Sequence, residues 1–377
     1  MSIEDKYLQA FDWCFKYTKI KEMKEKESLL HVATELGLDK LVEKLIQKGA
    51  DVNCQDYDKY TPLHFAANEG HVEIAKQLLE NKADVNCQSH YKSTPLHIAA
   101  LNGHIKVAKE LLENKADINC EDEIHKTPLV VATVNGHFEM VKFLITSGAN
   151  VNLGQSSHVT NSLQIAIGKG YTEIAKFLIE NGANVNAEIE FKGEIFTPLF
   201  QASSKGYLEI AKLLISKGAK VNIENILCAP LFIASVRGHI EVAKLLLQNG
   251  ADTECQGYNK NTNSPLYNAA KNGHFEMTQL LLEYNASLTF KDKNGLTPYE
   301  IARQNQHKKI TRLLYEKMIE SIKKECAVCF GPRNGTFTFL PCGHAKTCET
   351  CCKKIVANSG TCPICRKKVE QYQQIFD

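Results

Sequence analysis

Eight side chains able to bind a metal ion stand close together near the end of this 377-residue chain. Cys326 and Cys329, Cys342 and His344, Cys348 and Cys351, and Cys362 and Cys365 form four pairs with the spacing C-x2-C-x12-C-x-H-x3-C-x2-C-x10-C-x2-C. Thiolate sulfur and imidazole nitrogen are the donors that zinc takes in tetrahedral sets of four, so eight of them fit two ions. A zinc ion closed by four protein ligands has no open position for water or substrate, and it therefore folds the chain without performing chemistry itself. Each such site contributes on the order of 10 kcal/mol to folding, enough to order about fifty residues that have almost no core of their own. Cys352 is left over beside Cys351, and no histidine lies near it in sequence to activate it as a nucleophile.

A zinc module of this size accounts for little of the chain, which is long enough for two or three domains or a repeat array. The net charge of +2, with 23% charged residues, argues against a general nucleic-acid binder. There is no run of about 18 apolar residues to cross a membrane. The opening MSIEDKYLQAFDW lacks the basic, apolar and small-residue regions of a secretory leader. Of the 14 cysteines, seven belong to the ligand set and must be thiolates, so a reducing cytosolic or nuclear compartment is expected.

Upstream of the ligands the sequence repeats itself. Thr61-Pro62-Leu63-His64 recurs as Thr94-Pro95-Leu96-His97 and then as Thr127-Pro128-Leu129, at a spacing of 33 residues. Looser copies start at Ser28, Asn161, Thr197, Ala229, Ser264 and Thr297. Nine residues after each start stands a glycine, from Gly37 to Gly273, except in the last copy, where it is Gln306. Each unit reads as two short helices. Thr caps the first, Pro sits at its first position where a missing N–H costs nothing, and Gly supplies the left-handed turn that ends it. Ile74, Leu78 and Leu79 then give the second helix a buried stripe. Cys54, Cys87, Cys120 and Cys255 share one repeat position; stacked neighbours about 10 Å apart cannot form disulfides, which need Cα atoms within about 7 Å. His64, His71, His97, His104, His137, His239 and His274 are repeat-position residues too, expected to hydrogen-bond within or between turns.

The 33-residue period with Thr-Pro-Leu-His resembles the ankyrin repeat, in about nine copies over 28–307. The fold class expected is therefore mainly α: an ankyrin-repeat α-solenoid followed by a small α/β cross-brace zinc domain. A stack buries each face only against a neighbour, so its ends need caps. Ile3, Tyr7, Phe11 and Phe15 suggest a capping helix within 1–27, and Gln304, Gln306, His307 and Lys308 give the last copy a polar outer side. Helical spacing of Ile310, Leu313, Leu314, Met318, Ile319 and Ile322, with no Gly or Pro, predicts that 308–325 continues the last repeat as a stiff link. The resemblance implies protein binding by hairpin tips and inner helix faces, at Tyr57, Asp58, Tyr60, Asn68 and Glu69 in one copy and His90, Tyr91, Leu101 and Asn102 in the next. Tyr57, Tyr60 and Tyr91 are the candidate substrate contacts. The longer connections before Asn161, Thr197 and Ser264 carry Phe191, Phe196 and Tyr258 and are candidates for extended fingers.

The ligand series over 326–366 resembles the C3HC4 RING finger of ubiquitin ligases. That resemblance implies a cross-brace in which Cys326, Cys329, Cys348 and Cys351 hold one structural zinc and Cys342, His344, Cys362 and Cys365 the other. It implies that Val328, Ile355 and Pro363 form an apolar groove for a ubiquitin-conjugating enzyme charged with ubiquitin. Arg366 matches the family's linchpin, whose forked guanidinium bridges carbonyls of enzyme and ubiquitin. Activity would then be positional, with no covalent intermediate on the ligase. The tail 367–377 resembles that of the RINGs of inhibitor-of-apoptosis proteins, which implies a strand in a homodimer and a role for Phe376 towards ubiquitin on the opposite subunit. The alternative is a non-catalytic ankyrin/RING adaptor, against which Val328, Pro363 and Arg366 stand together.

Overall fold

A computed structural model describes residues 23–153, 161–191, 194–222, 229–255, 263–324, 336–340 and 371–375. The eight ligands, Val328, Ile355, Pro363, Arg366 and Phe376 lie outside the described residues, as do 1–22 with the expected capping helix. Contacts divide the chain into two compact units, Met1–Pro230 and Leu231–Asp377.

In the first unit helices come in pairs: α1 (Met23–Glu35) and α2 (Asp39–Gln47), α3 (Pro62–Glu69) and α4 (Val72–Glu80), α5 (Pro95–Asn102) and α6 (Ile105–Glu113). They continue as α7 (Pro128–Val134) and α8 (Phe138–Thr146), α9 (Ser162–Lys169) and α10 (Thr172–Glu180), α11 (Pro198–Lys205) and α12 (Leu208–Ser216). First helices pack on first helices and second on second along the series. Helix α1 begins at Met23 and runs through Ser28, so the first repeat and the end of the expected cap share one helix. Before α11 the longer connection folds as an antiparallel hairpin, β1 (Ile189–Phe191) on β2 (Glu194–Phe196), with Ile189 opposite Phe196. The second unit holds α13 (Pro230–Arg237) and α14 (Ile240–Gln248), α15 (Pro265–Asn272) and α16 (Phe275–Glu283), and α17 (Pro298–Gln304) with α18 (Lys308–Lys324). The expected link is thus one uninterrupted helix of 17 residues with the second helix of the last repeat. No helix among the described residues is long and apolar enough to cross a membrane.

The repeat's small and branched residues explain the packing. Leu63, Ala66 and Ala67 of α3, with Ile74, Ala75 and Leu78 of α4, have no exposed surface. Alanine in the first helix lets the next repeat's first helix approach closely. Helices of eight or nine residues are too short to persist alone, so this burial is what stabilises them.

Backbone groups are then matched across repeats. Asn53 Oδ1 accepts from the Asp84 N–H at 2.7 Å while its Nδ2 donates to the Lys82 carbonyl at 3.2 Å. Asn86 does the same with Asp117 and Lys115, Asn152 with Asn184 and Gly182, and Asn186 with Lys220 and Gly218. At the C-terminus of the first helices, all eight glycines of the ninth step are left-handed, with φ from 67° to 79°. Gln306 holds the same conformation at φ 63°. The glycines also make room: a Cβ on Gly70 would stand 2.8 Å from the His104 ring, whose Nε2 donates to the Asn68 carbonyl at 3.0 Å. Tyr171 and Tyr207 fill the equivalent places against Gly136 and Gly170. The helix-ending turn and the inter-repeat bond are therefore one device.

Gly49, at φ 80°, has nothing within 4 Å of where its Cβ would be. Gly49→Ala should therefore cost only left-handed strain, about 1 kcal/mol, whereas Gly70→Ala should cost about 2–4 kcal/mol because it also displaces His104. Urea unfolding followed by circular dichroism measures both, and equal losses would refute the clash.

Candidate functional site

The described part of the zinc module is a pair of strands. β3 (Thr336–Leu340) and β4 (Gln371–Ile375) run antiparallel, with Leu340 opposite Gln371 and Thr336 opposite Ile375. The tail expected to form a strand does so, and it pairs with a strand of its own chain. Six of the eight ligands, from Cys342 to Cys365, fall in the segment 341–370 whose two ends this ladder joins. Sulfur and imidazole donors in this number suit zinc, and the four Cys-x2-Cys or Cys-x-His pairs present no hard-oxygen ligand that calcium or magnesium requires.

The array supplies the second candidate surface. Where an aspartate begins the tip it holds a tight turn: Asp56 Oδ1 accepts from the Asp58 and Tyr60 N–H groups at 3.0 and 2.8 Å, while Lys59 turns left-handed at φ 62°. Asp122 repeats this with Ile124 and Lys126. Tyr57 at the first tip is 95% exposed and Tyr91 at the next 59%. Tyr60 is instead half-buried, its ring edge-on to His64 at 5.3 Å and to Phe65 at 6.5 Å. Between α3 and α5 lies a hollow of about 260 Å³ lined by Tyr60, His64, Phe65, Asn68, Ile98 and Leu101. Ile124, 54% exposed, was missed by sequence reasoning although it occupies the same repeat position as Tyr91. Phe65 and Ile98 were missed as well, because apolar residues in a helix read as core.

Beneath that hollow the Thr-Pro-Leu-His residues form a buried relay. The Thr61 N–H donates to His64 Nδ1 at 3.1 Å, and His64 Nε2 donates to the Ser93 carbonyl of the next repeat at 3.0 Å. That bonding requires the neutral tautomer protonated on Nε2. Cys87 Sγ lies 3.2 Å from Thr61 Oγ1, which in turn is 3.0 Å from Nδ1. His97 repeats the set with Thr94, Cys120 and the Lys126 carbonyl. Burial holds the His64 imidazole down to about 4, against the opposing pull of the Ser93 carbonyl and Asp56, and burial lowers His97 as well. Burial pushes the thiols of Cys87 and Cys120 up to about 11. None of the four repeat cysteines forms a disulfide, as the stacking distance predicts, and the protonated thiols of Cys87 and Cys120 are inert. Among the described residues no cluster of His, Cys, Asp or Glu could hold a metal.

The comparisons with known proteins fit this geometry. Residues 30–122, 118–189, 190–257 and 231–325 match the model for ankyrin repeats in three copies. This chain is an ankyrin-repeat protein. Behind the ankyrin array, residues 322–372 match the C3HC4-type zinc finger, the RING finger. Shorter stretches resemble curated proteins. One is 47% identical over 57 residues to the E3 ubiquitin-protein ligase APD4 of Arabidopsis thaliana, covering 15% of this chain and 14% of that protein. Another is 38% identical over 52 residues to the E3 ubiquitin-protein ligase LRSAM1 of Mus musculus, 14% of this chain and 6% of that protein. A third is 36% identical over 64 residues to the putative apoptosis inhibitor ORF106 of Ostreid herpesvirus 1, 16% of this chain and 14% of that protein. The chain therefore spans well under a fifth of the length of these relatives.

The relay has a consequence in acid. An unfolded imidazole takes its proton near 6.5, so the unfolded chain binds more protons than the array below that pH. Stability is full above pH 6.5 and falls as the pH drops towards 4, by about 3 kcal/mol for His64 alone. Gln164, at the same repeat position, donates from Nε2 to the carbonyls of Ala187 and Phe196 with no titrating group. The double variant His64→Gln, His97→Gln should accordingly lose less of its urea midpoint than the parent between about pH 7.5 and about pH 4.5. Equal losses would exclude the imidazoles as the source.

Proposed function

We propose that this chain is a RING-type E3 ubiquitin ligase whose ankyrin array recruits a protein substrate. The observation that carries the reading is the joining of a C3HC4 zinc finger, at 322–372, to an array that covers 30–325. The E3 ligases of Arabidopsis and mouse that share part of this sequence support it. In this reading Cys326, Cys329, Cys348 and Cys351 hold one zinc ion, and Cys342, His344, Cys362 and Cys365 the other. The metal supplies folding energy and no reaction step.

The work of transfer then falls to residues beside the ligands. Val328, Ile355 and Pro363 offer an apolar groove to the ubiquitin-conjugating enzyme. Arg366 presents five donors in a rigid fork, so it bridges that enzyme and its ubiquitin and holds the thioester in the geometry that a substrate lysine attacks. The thioester breaks, an isopeptide bond forms on the substrate, and the thiol returns to the conjugating enzyme. The second edge of β4 is unpaired among the described residues, and a second copy's tail would add there, placing Phe376 against ubiquitin on the opposite subunit.

Autoubiquitination with a panel of conjugating enzymes tests the reading. The parent should form chains with at least one enzyme. Arg366→Ala should lower the rate by about tenfold or more while retaining zinc, and Cys326→Ala should lose both chains and metal. Metal analysis of the parent should return two zinc ions per chain. A parent inactive with every enzyme would leave the adaptor role in place of the ligase.

A further inference from the structure

We propose that the tips and first-helix faces of the second, third and fourth repeats bind an extended partner segment in which lysine or arginine alternates with aromatic or aliphatic side chains. The inference rests on the reading of the array as the substrate-selecting part, and it names the substrate's chemistry.

Apolar side chains are gathered here in the open. Tyr57, Tyr91 and Ile124 stand at three successive tips, and Leu101, 40% exposed, borders the 260 Å³ hollow between α3 and α5. Large apolar side chains exposed on successive tips beside an apolar hollow suit anchor contacts with a partner. The tips are also fixed relative to one another: the His90 N–H donates to the Asp58 carbonyl, and the Glu123 N–H to the Tyr91 carbonyl, both at 2.9 Å. Anchors held in place by the backbone lose little freedom when a partner arrives. Neighbouring repeats about 10 Å apart give a span that about six extended residues cover. The hollow is shaped for one bulky apolar side chain of that segment.

Charge decides which segment. Around these anchors stand Asp56, Asp58, Glu69, Glu121, Asp122 and Glu123, against only Lys59, Lys92 and Lys126. The residue just before the helix-ending glycine changes charge along the array. It runs Glu69, Asn102, Asn135, Lys169, Lys205 from the second repeat to the sixth, all exposed. At this one position the charge is negative in the second repeat and positive in the fifth and sixth. A basic, apolar segment complements the acidic side chains around Tyr57 and Ile124.

The test uses the zinc-loaded full chain and a fluorescein-labelled peptide of about ten residues, a little longer than the span, in which Lys alternates with Phe and Leu. Fluorescence anisotropy should show saturable binding that weakens with salt. Replacing Lys by Glu in the peptide, or Phe and Leu by Ser, should weaken binding by at least about tenfold. The double variants Tyr91→Ser, Ile124→Ser and Asp58→Lys, Glu123→Lys should each do the same, with unchanged thermal unfolding because these side chains are exposed. No binding, tighter binding of the acidic or serine peptide, or indifference to both double variants would overturn the proposal. Autoubiquitination run alongside separates the two readings: lost peptide binding with chains intact sinks only the docking surface, and lost chains with peptide binding intact sinks only the ligase.

Discussion

Each repeat in this chain leaves backbone N–H and carbonyl groups that only its neighbour can satisfy. A buried or half-buried peptide group without a partner costs free energy comparable to a lost hydrogen bond, so the shortage is a constraint on everything else. Asn53 closes it for Asp84 and Lys82, His64 for Ser93, and His104 for Asn68. The period, the glycines and the small residues of the first helices all serve the distance at which those bonds form. A repeat taken out of the series would keep its helices' sequence and lose the reason for their folding.

The constraint tolerates more than one chemistry. At the fourth residue of the Thr-Pro-Leu-His motif the chain places His31, His64, His97, Val130, Gln164, Phe200, Phe232, Tyr267 and Glu300 in turn. Gln164 reaches the same kind of carbonyl as histidine does. Tyr267 reaches across instead to the Asp292 carboxylate at 2.8 Å, beneath a tip turn that Asp292 itself holds through the Leu296 N–H. Glu300 turns back to the Thr297 N–H at 2.7 Å and completes a capping box within its own repeat. That last change fits its position. The final repeat has no successor to bond, and its side chain spends its oxygen locally.

Much of this was legible in the sequence because the signals are local. Thr, Pro and Gly at fixed offsets set the start and end of a helix through φ, a missing N–H and a cap, and none of these depends on distant residues. The absence of disulfides among the repeat cysteines and the structural histidines followed from the period alone. What escaped depended on three dimensions. Tyr60 looked like a surface aromatic, but Phe65 and His64 lie where its ring must go. Ile124 was overlooked because a lone isoleucine in a polar loop carries no periodic signal; only lining up tip on tip exposes it. The hairpin Ile189–Phe191 with Glu194–Phe196 was readable as a long connection carrying aromatics, whereas its strand register is a property of cross-strand pairing. For the zinc module, spacing named the donors, and the roles of Val328, Ile355, Pro363, Arg366 and Phe376 rest on resemblance.

The β3–β4 ladder bears on the order of events in folding. By pairing Leu340 with Gln371, it ties off the segment 341–370 as a closed loop. Closing a loop of that length costs roughly 3 kcal/mol of chain entropy. A two-stranded ladder alone does not offset that cost, so the metal expected for the ligands of this segment would have to help close it. Strand pairing and metal binding would then be one coupled step, each lowering the cost of the other.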